Sequence, residues 1–139
     1  MIKTRVTIFA CTSVLLLGQA VFGQVKPCKI PEFNTCLGIR TLSVKRIQGR
    51  VFDESKAWIP RSCVTAFDRK LRPTASATTD ENGRFSLGTI KNGRYLLVVQ
   101  SNGFTPISQE IIVNRRHGRS RGLAVRMVIL STDSCSFAK

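Results

Sequence analysis

The residue types able to do chemistry are few in this chain, and they cluster. Four arginines and the single histidine crowd into Arg115-Arg116-His117-Gly118-Arg119-Ser120-Arg121. Histidine is the usual proton carrier near neutral pH, but as a general base it needs a positioned substrate and an orienting partner. No carboxylate stands near His117 in sequence, so the chemistry open to this stretch is electrostatic. A loop of this kind attracts phosphate or carboxylate polymers in a salt-dependent way. Arg115, Arg116, Arg119 and Arg121 are therefore candidate contacts to an anionic partner. The competing reading is a solvated hairpin tip that only keeps the surface charged.

Two other groups of residues invite a chemical reading. Asp53, Asp80 and Glu81 could supply oxygens to a hard cation such as calcium, but such ions take six or more oxygens and the local supply is thin, so turn capping accounts for them better. No metal or cofactor is expected. Trp58, the single tryptophan, sits beside Ile59 and Pro60, where it could stack on a sugar or pack over the end of the domain. Trp58 is the candidate residue of a carbohydrate-binding alternative.

The chain has 139 residues with five cysteines, and 22 Lys and Arg face 8 Asp and Glu. Lys3 and Arg5 precede an uncharged run from Val6 to Leu17, too short to cross a bilayer as a stable helix, and small residues follow up to Gly23. Residues 1–23 read as a cleaved signal peptide. Lipid anchoring at Cys11 competes with that reading, but Phe9 suits an anchor site poorly. Export places the remaining chain in a secreted or periplasmic setting, with no transmembrane segment in the mature part. Cleavage also removes Cys11 and leaves Cys28, Cys36, Cys63 and Cys135, an even set suited to disulfides in an oxidising compartment. Three pairings are open; the first expectation is a local Cys28–Cys36 loop with Cys63–Cys135 tying down the C-terminus. Four thiols could instead bind zinc, but no CxxC pair is present and the lone His117 lies among arginines.

Without Lys3 and Arg5, 20 cations oppose 8 carboxylates, and the excess lies toward the two ends of the mature chain. Nucleic acid is a poor candidate partner for so basic a protein, because export separates the two and the stacking aromatics of single-strand binders are missing. An anionic envelope polymer or another envelope protein fits better.

The elements that must position these residues are short strands. Residues 24–45 carry Pro27, Pro31 and two cysteines with little periodicity and read as an irregular extension. Alternation then begins at Arg46 to Phe52 and recurs at Cys63–Phe67, Thr74–Thr79, Arg84–Leu87, Arg94–Gln100, Ser108–Val113 and Leu123–Leu130. Asp80-Glu81-Asn82-Gly83, Lys91-Asn92-Gly93 and Asn102-Gly103 supply turn residues between them. Seven strands and no helical period predict an all-β sandwich over residues 46–131, with residues 132–139 as a tail. Tyr95, Leu97 and Val99 alternate with Leu96 and Val98, so both faces of that strand are apolar. One face needs a cover, either the N-terminal extension or a second copy of the chain in a homo-oligomer.

The ordered set Ile47-x-Gly49-x-Val51-x-Asp53, Ile59-Pro60, Val64-x-Ala66, Thr79-Asp80-x-x-Gly83-x-Phe85-x-Leu87, Gly93-x-Tyr95-x-Leu97-x-Val99 and Gly103-Phe104 resembles the carboxypeptidase regulatory-like domain. The resemblance implies a transthyretin-like, seven-stranded Greek-key sandwich, with Phe85, Tyr95, Leu97 and Val99 packed against Ile47, Val51, Val64 and Ala66. It says little about function. Enzymes related in that fold use residues this chain lacks. Hydroxyisourate hydrolases rely on several histidines and a C-terminal Tyr-Arg-Gly-Ser motif, intradiol dioxygenases hold iron with two tyrosines and two histidines, and zinc carboxypeptidases carry a His-x-x-Glu pair. One histidine and one tyrosine are present here, and Tyr95 belongs to the core pattern. The expectation is an exported, non-enzymatic module for binding or structural support.

Overall fold

A computed structural model describes residues 26–30, 36–37 and 40–129. In chain order its strands are β1 (Cys36–Leu37), β2 (Leu42–Val44), β3 (Gln48–Phe52), β4 (Cys63–Phe67), β5 (Pro73–Thr78), β6 (Arg84–Ser86), β7 (Gly93–Gln100), β8 (Ile107–Val113) and β9 (Leu123–Arg126). Each of the seven segments read from alternation overlaps one of them, with Pro73, Gly93 and Ile107 starting their strands one residue earlier than expected. The extension expected to be irregular adds two more, because Cys36–Leu37 and Leu42–Val44 pair in parallel with β8.

The larger sheet runs β1-β8-β7-β4-β5, with β2 also on β8, and the smaller runs β6-β3-β9. Together they form an all-β sandwich. Within the larger sheet β4, β5, β7 and β8 pair antiparallel, whereas β9 lies parallel to β3 in the smaller one. Alternation decides what fills the space between. Val64 and Ala66 of β4, Tyr95, Leu97 and Val99 of β7, and Ile111 and Val113 of β8 meet Ile47, Val51, Phe85 and Met127 in one buried cluster. Burying side chains of this size contributes about 1.5–3 kcal/mol each, so this cluster is the main source of stability.

The other face of β7 has its cover, and this chain supplies it. Phe67 and Val98 are buried with Cys28 on the outside of the larger sheet, with Cys63 and Leu96 packed around them. Three contacts hold Lys26–Ile30 there. Cys28 is bonded to Cys63, the Cys28 N–H donates to Thr65 Oγ1 at 2.9 Å, and Gln100 Nε2 donates to the Lys29 carbonyl at 2.6 Å. Of the two covers open to this face, the N-terminal extension is thus the one that lies on it.

The Cys28–Cys63 bond overturns the expected Cys28–Cys36 and Cys63–Cys135 pairings. Cys36 pairs with Ile107 on the far side of β8, three strands from β4, or roughly 14 Å at ordinary strand spacing. Cys28 instead lies over β4, where Cys63 faces outward, with 5.7 Å between their Cα atoms. Cys135 lies outside the described residues, as do the expected signal peptide, residues 1–23, and the expected tail, residues 132–139.

The Asp80–Gly83 turn forms as its residues dictate. Asp80 Oδ1 accepts the N–H groups of Asn82 and Arg84, both at 2.9 Å, and Gly83 has φ of 67°. A side chain there would also collide with the Val51 carbonyl. Gly93 does not take the positive φ; between β6 and β7 it falls on Gly88, ahead of the Lys91–Gly93 turn.

Candidate functional site

The basic segment is a crossover between the sheets, not a hairpin tip, since it joins β8 to β9. Asn114 folds its first turn: the side-chain oxygen accepts the N–H groups of Arg116 and His117, both at 3.1 Å, and the backbone carbonyl accepts that of Gly118 at 2.8 Å. Gly118 is needed because a Cβ there would run into the Val44 carbonyl. Arg119 then docks on β2, its N–H donating to Ser43 and its carbonyl accepting from Lys45, each at 3.0 Å. This is a built connection.

Its arginines do different things. The Arg115 guanidinium donates to the Ile90 carbonyl at 2.9 Å, and its N–H to Asn92 Oδ1 at 3.2 Å, so it ties the crossover to the turn before β7. With Lys45 and Arg46 it lines a cavity of about 260 Å³. Arg116, Arg119 and Arg121 are exposed and have no carboxylate within ion-pair distance among the described residues. The His117 side chain is exposed too, and makes no hydrogen bond among them.

Trp58 lies elsewhere, on the outer face of the smaller sheet. It forms a bridge with Phe52, the two rings meeting edge to face with centroids 6.2 Å apart. The Arg50 guanidinium lies over the indole, 4.9 Å from its centroid. Trp58 is still 44% exposed. Together with Gln48, Arg50, Arg84 and Ser86 it lines an open groove of about 730 Å³. Gly122, just before β9, and Leu123 and Ala124 of β9 form one wall. Arg50 stands directly opposite Arg84 in the β3–β6 register and opposite Ala124 in the β3–β9 register.

Residues 46–128 match the carboxypeptidase regulatory-like domain. The chain belongs to that family. The match spans β3 through β9 and so includes both the groove and the crossover. No curated protein matches the chain. Among solved structures it is similar to a 3-chlorocatechol 1,2-dioxygenase from Rhodococcus opacus, at 11% identity and a TM-score of 0.44, over 76% of this chain and 71% of that one. A likeness that distant carries no argument about activity.

In this regulatory-like domain two of the three acidic candidates for a cation site, Asp53 and Asp80, are employed as turn caps. Asp53 Oδ1 accepts the Ser55 hydroxyl at 2.6 Å and the Ala57 N–H at 2.9 Å, and these bonds, the Ser55 one foremost, hold its pKa below the ordinary value. Asp80 closes its own turn as described. Among the described residues no three of His, Cys, Asp and Glu gather as metal ligands would.

The fold does not bring Trp58 and the crossover arginines into one constellation, although Gly122, one residue after Arg121, lines the groove. Arg50 and Arg84 are the site residues that sequence reading missed. Alternation with buried Val51 and Phe85 puts both on the outward face of their strands. That β3 and β6 are neighbours is a property of the sheet order, which alternation does not encode.

Proposed function

We propose that this domain is an exported, non-catalytic module that binds an anionic polymer of the cell envelope or its surroundings. The observation that carries the reading is the imbalance of its surface: among the described residues only Arg72, with Asp68, and Arg94, with Glu110, are paired with carboxylates. No other cation has its charge balanced by a carboxylate among the described residues, although Arg115 bonds the Ile90 carbonyl and Arg50 lies over Trp58, and a field of one sign draws in polyanions. A disulfide between Cys28 and Cys63 supports an oxidising compartment. So does the closing of the outer face by residues that directly follow the expected cleavage site. No helix among the described residues is long and apolar enough to cross a membrane.

A second reading, carbohydrate binding through Trp58, is favoured by one observation: the indole lines an open groove while keeping 44% of its surface exposed. Retention of the purified chain on immobilised polygalacturonate, dextran sulfate and neutral dextran across a salt series tests the first reading. Retention on the charged matrices that weakens steeply with salt is expected. Absence of retention, or equal retention on neutral dextran, would remove it.

A further inference from the structure

We infer that the groove on the outer face of β3, β6 and β9 is a site for a carboxylated saccharide unit, with Trp58 against the sugar ring and Arg50 and Arg84 on the carboxylate. The inference rests on the anionic-ligand reading above and gives that ligand a place and a chemical class.

The first argument is the cross-strand pair. Directly opposed side chains on neighbouring antiparallel strands have Cβ atoms about 5 Å apart, and like charges so placed destabilise the sheet. Arg50 and Arg84 are such a pair. Neither guanidinium has a hydrogen-bond or carboxylate partner among the described residues, and Asp80, the one carboxylate that lines the groove, spends Oδ1 on the N–H groups of its own turn. An anion between the two arginines turns repulsion into attraction.

The second argument is orientation. The Arg50 guanidinium is held over the Trp58 ring, and no protein acceptor among the described residues takes its N–H groups. A planar fork held that way matches a carboxylate in bidentate fashion and loses little side-chain freedom on binding. The Phe52 edge contact fixes the indole in turn. The site is therefore organised before any ligand arrives.

The third argument is the rest of the lining. Gln48, Ser86 and Thr78 border the groove, and amide and hydroxyl groups both donate and accept, as the hydroxyls of a sugar require. The flat exposed indole offers apolar area to a ring, and the volume is of the size that holds small organic ligands. A nucleic acid would ask for a series of stacking rings along a track, and Trp58 is the one large aromatic exposed among the described residues.

The chain holds a single tryptophan, so intrinsic emission reports on this groove alone. The experiment titrates the purified, oxidised chain with a short oligogalacturonate, with its fully methyl-esterified form, with a polyglutamate peptide and with a single-stranded oligonucleotide. The oligogalacturonate is expected to shift the emission saturably. The ester is expected to bind about tenfold more weakly or worse, as are Arg50→Gln and Arg84→Gln toward the free acid. The triple replacement of Arg116, Arg119 and Arg121 by serine should keep the shift. Equal response to acid and ester, an unchanged affinity in both glutamine variants, or a peptide or oligonucleotide that binds as well as the saccharide would each overturn the inference. If the loop variant alone loses binding of the oligogalacturonate, the polyanion reading stands and the groove is the wrong place. If no polyanion binds the wild-type chain, both fail.

Discussion

Cys28 and Cys63 are joined across the outer face of the larger sheet with their Cα atoms 5.7 Å apart, and Val98 is buried beneath the segment this bond secures. The bridge thus stands in for a partner surface. Replacing both cysteines by serine should lower stability by about 2–4 kcal/mol and expose the Val98 and Phe67 patch to a hydrophobic dye. Denaturant melts with and without reductant check the first effect, and dye emission the second. Peptide mapping without reduction should recover Cys28 linked to Cys63.

Thr65 is the polar partner of the same clamp. Its buried hydroxyl accepts the Cys28 N–H at 2.9 Å and shares a hydrogen bond with Ser76 at 2.8 Å. Thr65→Val keeps the shape but leaves a buried N–H without an acceptor, a loss of about 1–3 kcal/mol. Thr65→Ser restores the oxygen and should recover most of it. Equal losses in both variants, measured by urea unfolding, would mean that packing rather than the hydrogen bond matters at this position.

What the sequence made legible was local. Alternation placed Val51, Phe85 and Tyr95 in the core, and Asp80 with Gly83 announced their turn, because those signals lie within a few residues. Cys36–Leu37 and Leu42–Val44 are too short for any period to show, so β1 and β2 went unread. The Cys28–Cys63 bond and the Arg50–Arg84 pair depend on which strands are neighbours and at what register. Residues 35 positions apart along the chain, as those two cysteines are, carry no local mark of their meeting.

Gly83 makes a sharper test of the turn. With φ of 67° and the Val51 carbonyl where a Cβ would stand, Gly83→Ala should lower stability by more than about 1 kcal/mol. Gly88, also at positive φ but with open space around it, should lose less on the same change. Thermal melts of the two variants give the order directly, and a reversed order would show that the β3 contact is not the cause.

Acid sensitivity follows from the caps. Hydrogen bonds from Ser55 and Ala57 lower the pKa of Asp53 from its ordinary value of 3.8. Asp68 is lowered likewise, by the Arg72 N–H first and its guanidinium second. A carboxylate with a lower pKa in the folded state contributes stability above its unfolded pKa and loses it as pH falls through the folded value. Asp53→Asn and Asp68→Asn keep an acceptor but do not titrate. The stability gap between wild type and these variants should therefore narrow between about pH 5 and pH 2, as denaturant melts at several pH values would record. A constant gap would place the effect in geometry rather than charge.

Arg84 offers the last test, because a ligand-binding residue and a structural one leave different marks on stability. If Arg84 only repels Arg50, Arg84→Gln should raise stability by about 0.2–1 kcal/mol. Arg50→Gln removes the same repulsion but also the contact with Trp58, worth about 0.5–1 kcal/mol at an exposed site, so its net effect should fall near zero. Trp58→Ala loses that contact and keeps the repulsion, and should be the least stable of the three. Stabilising changes are functionally costly where a site trades stability for activity. A thermal series in the order Arg84→Gln, Arg50→Gln, Trp58→Ala, from most to least stable, would show that the Arg50–Arg84 pair weakens the fold, as a pair held for a ligand does. Destabilisation by Arg84→Gln would make it part of the scaffold instead.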